Sequence, residues 1–262
     1  QAVLEGAPPL HPSFSFTEAD LDLLTTRVPA EIAARIRNQP EAFLDLARQL
    51  LSQPEWTLIL VDKQNPLGPD YDPTDLAAIV ELAPRVSVRV RNMLLLPAVA
   101  GELQRLSDAA LADGYRLQVS SAYRSYQRQA ELFTYWSEAY GVEEAEFFSA
   151  RAGTSQHQLG STVDFAPVDR SFGGMPAYRW LVENAADYGF SLSYPEGYTE
   201  VTGYNYEPWH WRYIGRAGAA METRFFGGIQ QYFLEYWDTM GPVVAAGMIG
   251  ARPGTVSADG SR

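Results

Sequence analysis

The chain has 262 residues, of which 46% are hydrophobic and 13% aromatic, and this composition indicates a folded protein with a sizeable core. Its net charge of -12 argues against nucleic-acid binding, because that function needs a basic face. The sequence contains no cysteine, which excludes disulfides, thiolate metal ligands and cysteine nucleophiles. No apolar run reaches the ~18 residues that a transmembrane helix requires, so we expect no membrane span.

The N-terminal fifth of the chain predicts an arm followed by short helices. Residues 1–16 contain three prolines and no hydrophobic period, so we expect a loose arm in which His11 is solvated. Thr17 and Asp20 have the spacing of a helix cap, and helical periodicity continues over residues 30–38 and 41–51. We assign residues 1–55 to this arm and helical extension.

The remainder of the chain alternates between predicted strands and helices. Strand-forming sequences occupy residues 56–61, 117–123, 162–168, 190–194 and 209–214. Helical periodicity marks residues 97–113, 126–140, 143–150, 176–188, 216–226 and 229–240, while residues 86–96 fit either a strand or the start of a helix. This pattern predicts an α+β domain over residues 56–240, with a small antiparallel sheet flanked by helices. Residues 241–262 have no period, and we expect a tail that is poorly ordered from about Arg252.

Two of the three histidines each lie near a carboxylate, His157 with Asp164 and His210 with Glu207. Gly160 permits a tight reversal, which would place His157 beside Asp164 on adjacent antiparallel strands. Two imidazoles and an aspartate form a zinc ligand set with an open fourth position, and Glu207 is then left to act as the base. The alternative is two half-buried histidines that are each satisfied by a neighbouring acid. Because the pattern occurs twice in a chain with so few histidines, we favour the metal site.

Other hydrolytic chemistries lack their sequence signals. Lys63 is the only lysine and has no serine three positions before it, and no G-x-S-x-G motif is present, so the common serine nucleophiles are not indicated. Pro208 between Glu207 and His210 disfavours a helical H-E-x-x-H arrangement, since proline disrupts a helix interior. The predicted metal site is therefore assembled from strands and loops.

These segments resemble the signatures of a known family. The spacing Ser155-x-His157-x-x-Gly160-x-x-x-Asp164 and the segment Glu207-Pro208-Trp209-His210 resemble the S-x-H-x-x-G-x-A-x-D and E-P-W-H motifs of VanY-type D-alanyl-D-alanine carboxypeptidases. The segments 121–126, followed by Gln129, and 60–67 are similar to two further stretches of that family. The likeness covers approximately residues 57–216. Thr162 and Ala122 depart from the family pattern, which usually has alanine and often glycine at these positions, and neither residue is a ligand.

The resemblance implies roles for individual residues. His157, Asp164 and His210 would bind zinc, and Glu207 would serve as general base and then as proton donor to the leaving amine. Arg124 would polarise the scissile carbonyl and stabilise the oxyanion, because it places positive charge where negative charge develops.

Three further residues are candidates for binding substrate. The resemblance suggests that Ser155 and Gln129 hold the terminal carboxylate or the backbone of the substrate. Gln129 begins the apolar stripe of its predicted helix, so it either faces a site or ends the stripe. Trp209 is either a packing residue or one wall of the pocket.

The family likeness also implies a fold and an activity. We expect the fold of LAS or Hedgehog-like zinc metallopeptidases, carrying an N-terminal helical extension. The expected function is a zinc carboxypeptidase that removes the terminal D-alanine of peptidoglycan stem peptides, with D,D or L,D specificity. A peptidoglycan endopeptidase and a non-catalytic zinc or cell-wall-binding module are the alternatives.

The same likeness implies where such an enzyme would act. Because the sequence starts at Gln1 without a methionine, we expect that a leader has been removed. We therefore expect a periplasmic or extracellular protein of the cell envelope. We also expect it to be a monomer.

Overall fold

The computed structural model describes residues 7–250. Its helices are α1 Leu21–Leu24, α2 Ala30–Asn38, α3 Pro40–Leu50, α4 Ile79–Leu82, α5 Pro97–Ala112, α6 Tyr126–Tyr140, α7 Val142–Ala145, α8 Pro176–Asn184, α9 Thr199–Thr202, α10 Arg216–Phe225 and α11 Gln230–Ala246. Its strands are β1 Ala77–Ala78, β2 Ser87–Val88, β3 Leu94–Leu95, β4 Gln118–Ser121, β5 Thr162–Phe165, β6 Phe190–Leu192 and β7 His210–Tyr213. Short 3-10 helices span Glu18–Asp20, Glu55–Leu58, Gln156–Leu159, Arg170–Gly174 and Ala185–Tyr188. Within the described part, no helix is both long and apolar enough to cross a bilayer.

A five-stranded sheet in the order β2-β4-β5-β7-β6 forms the centre of the molecule. The pairs β4-β5, β5-β7 and β7-β6 are antiparallel, and the short edge strand β2 pairs parallel to β4. The strands β1 and β3 form a separate antiparallel pair. The predicted α+β class with a small antiparallel sheet is confirmed.

The described residues form two apolar cores. The first is built from α5, α8 and the inward side chains of β4, β5 and β7, such as Val163, Phe165 and Trp211. The second joins the N-terminal helices α2 and α3 to α10 and α11, with Phe43 packed edge-on against Tyr236 at 5.9 Å. The helical extension is therefore anchored on the C-terminal helices.

The expectation of a loose arm with a solvated His11 was wrong for the described residues 7–16. Phe14 and Phe16 are buried in the second core, and Phe14 forms a bridge with Met248. His11 is only 7% exposed, accepts a hydrogen bond from the Ser13 amide and lies 3.4 Å from Asp45. Two phenylalanines in a proline-rich segment are enough to hold it against the core, although they create no periodic pattern.

The strand predicted over residues 56–61 was also wrong. The segment starts as a 3-10 helix, and the buried guanidinium of Arg212 donates hydrogen bonds to the carbonyls of Thr57 at 3.2 Å and Ile59 at 2.7 Å. These carbonyls are satisfied by a side chain from β7 and need no neighbouring strand.

Two helices end five or more residues from their predicted ends. α7 ends at Ala145 instead of residue 150, and α11 continues through Pro242 to Ala246, so residues 241–246 are helical and not part of a tail. The tail predicted from Arg252 lies outside the described residues.

Glu222 is a buried acid on α10, next to the second core. Burial raises the pKa of its carboxyl to about 8 from an ordinary value of 4.5, partly offset by a hydrogen bond with Ser191. The folded protein therefore binds this proton more tightly than the unfolded chain does. The resulting stabilisation is complete below pH 4.5 and is lost as the pH rises to about 8.

We predict that Glu222→Gln removes this pH dependence. Between pH 5 and 8 the free energy of unfolding of the unmutated protein should fall relative to that of the variant, by at most about 1.4 kcal/mol per pH unit. Urea denaturation at several pH values measures the difference. The control is Glu183→Gln, which changes an exposed acid on α8 and should follow the unmutated protein. Parallel pH profiles for the unmutated protein and Glu222→Gln would contradict the prediction.

Candidate active site

His157 lies on the 3-10 turn Gln156–Leu159 between Ser155 and Gly160. The Ser155 hydroxyl caps the turn by accepting a hydrogen bond from the His157 amide at 3.3 Å. Gly160 has φ +68°, and a Cβ added there would lie 2.7 Å from Leu76, so both the backbone angle and the space require glycine. The expectation that His157 occupies a strand is wrong. His157 lies on a 3-10 turn that ends at Gly160, shortly before β5 begins.

Asp164 on β5 and His210 on β7 are direct partners across the sheet. The Nε2 atom of His157 lies 3.2 Å from Asp164 Oδ2, and His210 Nδ1 lies 3.3 Å from Asp164 Oδ1. One ligand atom from each of the three residues lies within 4.8 Å of the others, and all three residues are buried. The structure thus brings the predicted ligand set together around one point.

The outer hydrogen bonds of the histidines define which nitrogens face that point. His157 Nδ1 lies 2.6 Å from the Ala122 carbonyl, which can only accept, so this nitrogen carries the proton and Nε2 has a free lone pair. His210 Nε2 lies 3.2 Å from Gln156 Oε1, which leaves Nδ1 as its lone-pair nitrogen. Two lone pairs therefore point at one carboxylate, and buried Asp164 Oδ1 receives no hydrogen bond. A cation bound between these acceptor atoms would give each of them a partner, so the set of ligand atoms fits a metal such as zinc.

The charge states of the group agree with metal ligation. Burial lowers the pKa of His210 to about 4, despite the opposing effect of Asp164, so this imidazole is neutral at physiological pH. Burial alone would raise the pKa of Asp164, but a proton on either adjacent histidine brings it well below its usual range, and a cation bound in place of that proton would favour the same ionised form. Neutral imidazole and ionised carboxylate are the forms that bind divalent metals.

Glu207 is a second buried acid at the same point. Its Oε2 atom lies 3.5 Å from His210 Nδ1, and its backbone amide donates to the Tyr194 carbonyl. Burial, together with the charge of Asp164, raises the pKa of Glu207 well above its ordinary value, and the nearby Arg124 opposes this shift. A carboxyl with a raised pKa beside a metal site can both accept and return a proton.

Arg124 is held rigidly at the cleft wall. Its Nη1 atom donates to Gln129 Oε1 at 2.7 Å and its Nη2 atom donates to Ser121 Oγ at 3.1 Å, while its backbone amide donates to the His157 carbonyl. Gln129 itself is 0% exposed and also donates to the Ala150 carbonyl. The structure therefore places Gln129 behind Arg124, whereas the sequence analysis left open whether this residue faces the site or ends the apolar stripe of its helix.

The ligand group lies at the base of a cleft of about 570 Å³. Ser155 and Trp209, both predicted to contact substrate, line this cleft together with Arg124 and Glu207. The sequence analysis missed Tyr194, whose ring packs 4.7 Å from that of His210, and Tyr204 beside it. The Gly- and Tyr-rich composition of residues 195–206 was the signal for Tyr204, whereas Tyr194 precedes this stretch. The sequence analysis also missed Gln156, because no residue spacing in the sequence indicates its role.

Comparison with known proteins places this architecture in a family. The model of the VanY family, D-alanyl-D-alanine carboxypeptidase, matches residues 92–216. A D-alanyl-D-alanine carboxypeptidase of Enterococcus faecalis is 37% identical over 187 residues, which are 68% of this chain and 66% of the relative. The putative carboxypeptidase YodJ of Bacillus subtilis is 32% identical over 191 residues, 71% of this chain and 70% of the relative. The chain belongs to the VanY-type carboxypeptidase family.

Solved structures of VanY-type and related enzymes share its fold. The LD-carboxypeptidase LdcB has a TM-score of 0.62 and 31% identity, and the match covers 69% of this chain and 86% of LdcB. VanYB in complex with D-alanine-D-alanine has a TM-score of 0.56 and 35% identity, covering 70% and 98% of the two chains. A VanY mutant in complex with Zn(II) has a TM-score of 0.55 and 34% identity, covering 68% and 99%. The recognised family and its metallopeptidase fold are confirmed.

Removing either ligand histidine should strongly weaken metal binding by this VanY family member. We predict that His157→Ala and His210→Ala each weaken Zn²⁺ affinity by more than about 100-fold, since losing even an outer hydrogen-bond partner of a ligand typically costs 10–100-fold. Competition with a chromophoric chelator measures the affinity. His11→Ala is the matched control, because it removes the remaining histidine at a buried position paired with Asp45. Equal zinc affinities in all three variants would contradict the assignment.

Proposed function

We propose that this protein is a zinc-dependent carboxypeptidase that removes the C-terminal D-alanine from peptidoglycan stem peptides. The observation that carries the proposal is the convergence of His157, Asp164 and His210 with a second buried acid, Glu207, in one cleft. The family relatives support it, since D-alanyl-D-alanine carboxypeptidases and a Zn(II) complex of VanY are among them. We also propose that the protein acts in the cell envelope, where such peptides occur.

His157, Asp164 and His210 would hold the zinc ion. Bound zinc would lower the pKa of water to about 7 and polarise a carbonyl. Glu207, beside these residues, would take the proton from the attacking water and pass it to the leaving amine of D-alanine. Burial and the charge of Asp164 raise the pKa of Glu207, and a raised pKa makes its carboxylate a stronger base for the first step.

Arg124 supplies fixed positive charge on the cleft wall. Within the described part of the chain, two of its five guanidinium N–H groups are engaged, by Gln129 and Ser121. The others are left for an anionic partner, which is the oxyanion of the reaction or the terminal carboxylate of the peptide. Ser155 and Trp209 line the same cleft and complete the candidate contacts with the peptide.

A non-catalytic binding module on the same scaffold is less well supported. A metal that only stabilises a fold or a contact is normally fully coordinated, and it has no need of an unligated acid beside it. Glu207 lies beside the ligand group, is buried and carries a raised pKa. These properties match a group that transfers protons.

We predict that Glu207→Gln retains zinc but loses hydrolysis. The amide preserves the size of the side chain and cannot accept the proton, so kcat should fall roughly 10²–10⁴-fold. Release of D-alanine from a stem pentapeptide, followed by mass spectrometry, gives the rate, and metal analysis of the same sample gives the zinc content. Glu200→Gln, which changes an exposed acid on α9, should keep both. If Glu207→Gln cleaves at the unmutated rate, its assignment as the base is refuted.

The substrate class is tested with two peptides of defined sequence and with intact cross-linked cell wall. A pentapeptide that ends in D-alanyl-D-alanine reports D,D activity, and a tetrapeptide in which D-alanine follows an L-centre reports L,D activity. We expect loss of one D-alanine from at least one of these peptides and no new amine ends in intact cross-linked cell wall. Cleavage of cross-links without D-alanine release would replace the carboxypeptidase proposal with an endopeptidase.

A further inference from the structure

A row of buried polar side chains connects His210 to the C-terminal helix α11. His210 Nε2 lies 3.2 Å from Gln156 Oε1, and Gln156 Nε2 donates to Gln230 Oε1 at 3.1 Å. Gln230 Nε2 in turn donates to Ser191 Oγ at 3.0 Å. We call Gln156, Gln230 and Ser191 the glutamine relay. Gln156 is 2% exposed and Gln230 is 1% exposed, so solvent does not replace these contacts.

The direction of each hydrogen bond follows from a fixed acceptor at the far end. Gln230 Nε2 also approaches the Ser191 backbone carbonyl at 3.5 Å, and a carbonyl only accepts, so the amide nitrogen of Gln230 faces β6. Gln230 Oε1 must then face Gln156, which turns the amide nitrogen of Gln156 toward it. Gln156 consequently presents its oxygen to His210, and the Ser193 hydroxyl donates to the same oxygen at 2.7 Å.

This orientation determines the tautomer of a metal ligand. An oxygen facing His210 Nε2 requires the proton on Nε2, and the lone pair is then on Nδ1, beside Asp164. If the amide of Gln156 were inverted, its nitrogen would donate to His210 Nε2 and the ring proton would move to Nδ1. The proton would then occupy the position from which the imidazole binds metal.

We propose that Gln230 is a positioning residue for the metal ligand His210, acting through the amide orientation of Gln156. The inference rests on the proposed function, since it takes the His-Asp-His group as the metal site. Gln230 lies outside the family-matched segment 92–216 and begins α11, which the second core binds to the N-terminal helices. The helical extension thus supports a residue that orients the active site.

The test compares Gln230→Met with Gln231→Met. Methionine fills a similar volume without an amide, so the first variant removes the acceptor for Gln156 Nε2. Gln231 is also buried on α11, but it donates to Asp62 at 2.8 Å and to Glu235, away from the glutamine relay. We expect Gln230→Met to weaken Zn²⁺ affinity about 10-fold in chelator competition, at the lower end of effects seen for outer partners of metal ligands, and Gln231→Met to leave it unchanged.

Two further measurements separate positioning from general damage. In metal-free protein, nitrogen NMR of the histidine rings should show the Nε2-H tautomer of His210 in the unmutated chain and a population with Nδ1-H in Gln230→Met. Gln230→Glu keeps an oxygen facing Gln156 and should restore most of the zinc affinity, even if its melting temperature falls.

Three results would overturn the inference. They are an Nδ1-H tautomer in the unmutated protein, equal zinc affinities for the two methionine variants, and a Gln230→Glu variant as weak as Gln230→Met. The tautomer measurement needs neither zinc nor activity, so it tests the glutamine relay even if the carboxypeptidase proposal fails. If the unmutated protein has the Nε2-H tautomer but cleaves no peptide, this result would count against the proposed function and not against the role of Gln230.

Discussion

The cross-strand pairing of Asp164 with His210 is the constraint on which the site depends. Side chains alternate across a strand, so a shift of one residue between β5 and β7 would turn one of the two toward the apolar core. The register is determined by the neighbours of this pair: Val163 lies opposite Trp211, and both are buried in the first core. Apolar packing on one face of the sheet therefore sets the geometry of the ligands on the other face.

The polar face of β5 and β7 is itself buried, which is unusual for a small antiparallel sheet. Because little of it is exposed to solvent, the polar groups there depend mainly on partners from the protein. Arg212 donates to the carbonyls of Thr57 and Ile59, and His210 is met by Gln156. Asp164 Oδ1 is the ligand atom left without a hydrogen-bond donor among the described residues. Two buried acids at this point, Asp164 and Glu207, make a bound cation the natural source of compensating charge.

The sequence was informative where local chemistry decides the structure. The strand predicted over residues 209–214 is present as β7, which carries His210, and the pairing of each histidine with a nearby acid identified the group that the structure brings together. It was uninformative where a distant side chain satisfies the backbone. The strand predicted over residues 56–61 failed because Arg212, about 150 residues later, binds its carbonyls. Local propensity cannot anticipate such a contact, since it depends on the assembled fold.

The same reasoning explains why the helical layer matters to the site. Gln156 and Gln230 are 74 residues apart, and their contact exists because α10 packs against β6 and also contacts α11. α11 is in turn held by Phe43 on α3 and by the arm residue Phe14, both in the second core. An amide tolerates little displacement before its hydrogen bond fails, so the packing of this layer fixes the angle at which His210 faces Asp164. The N-terminal extension therefore supports the metal ligands indirectly. Apolar contacts join it to α11, and hydrogen bonds through Gln230 and Gln156 join α11 to His210.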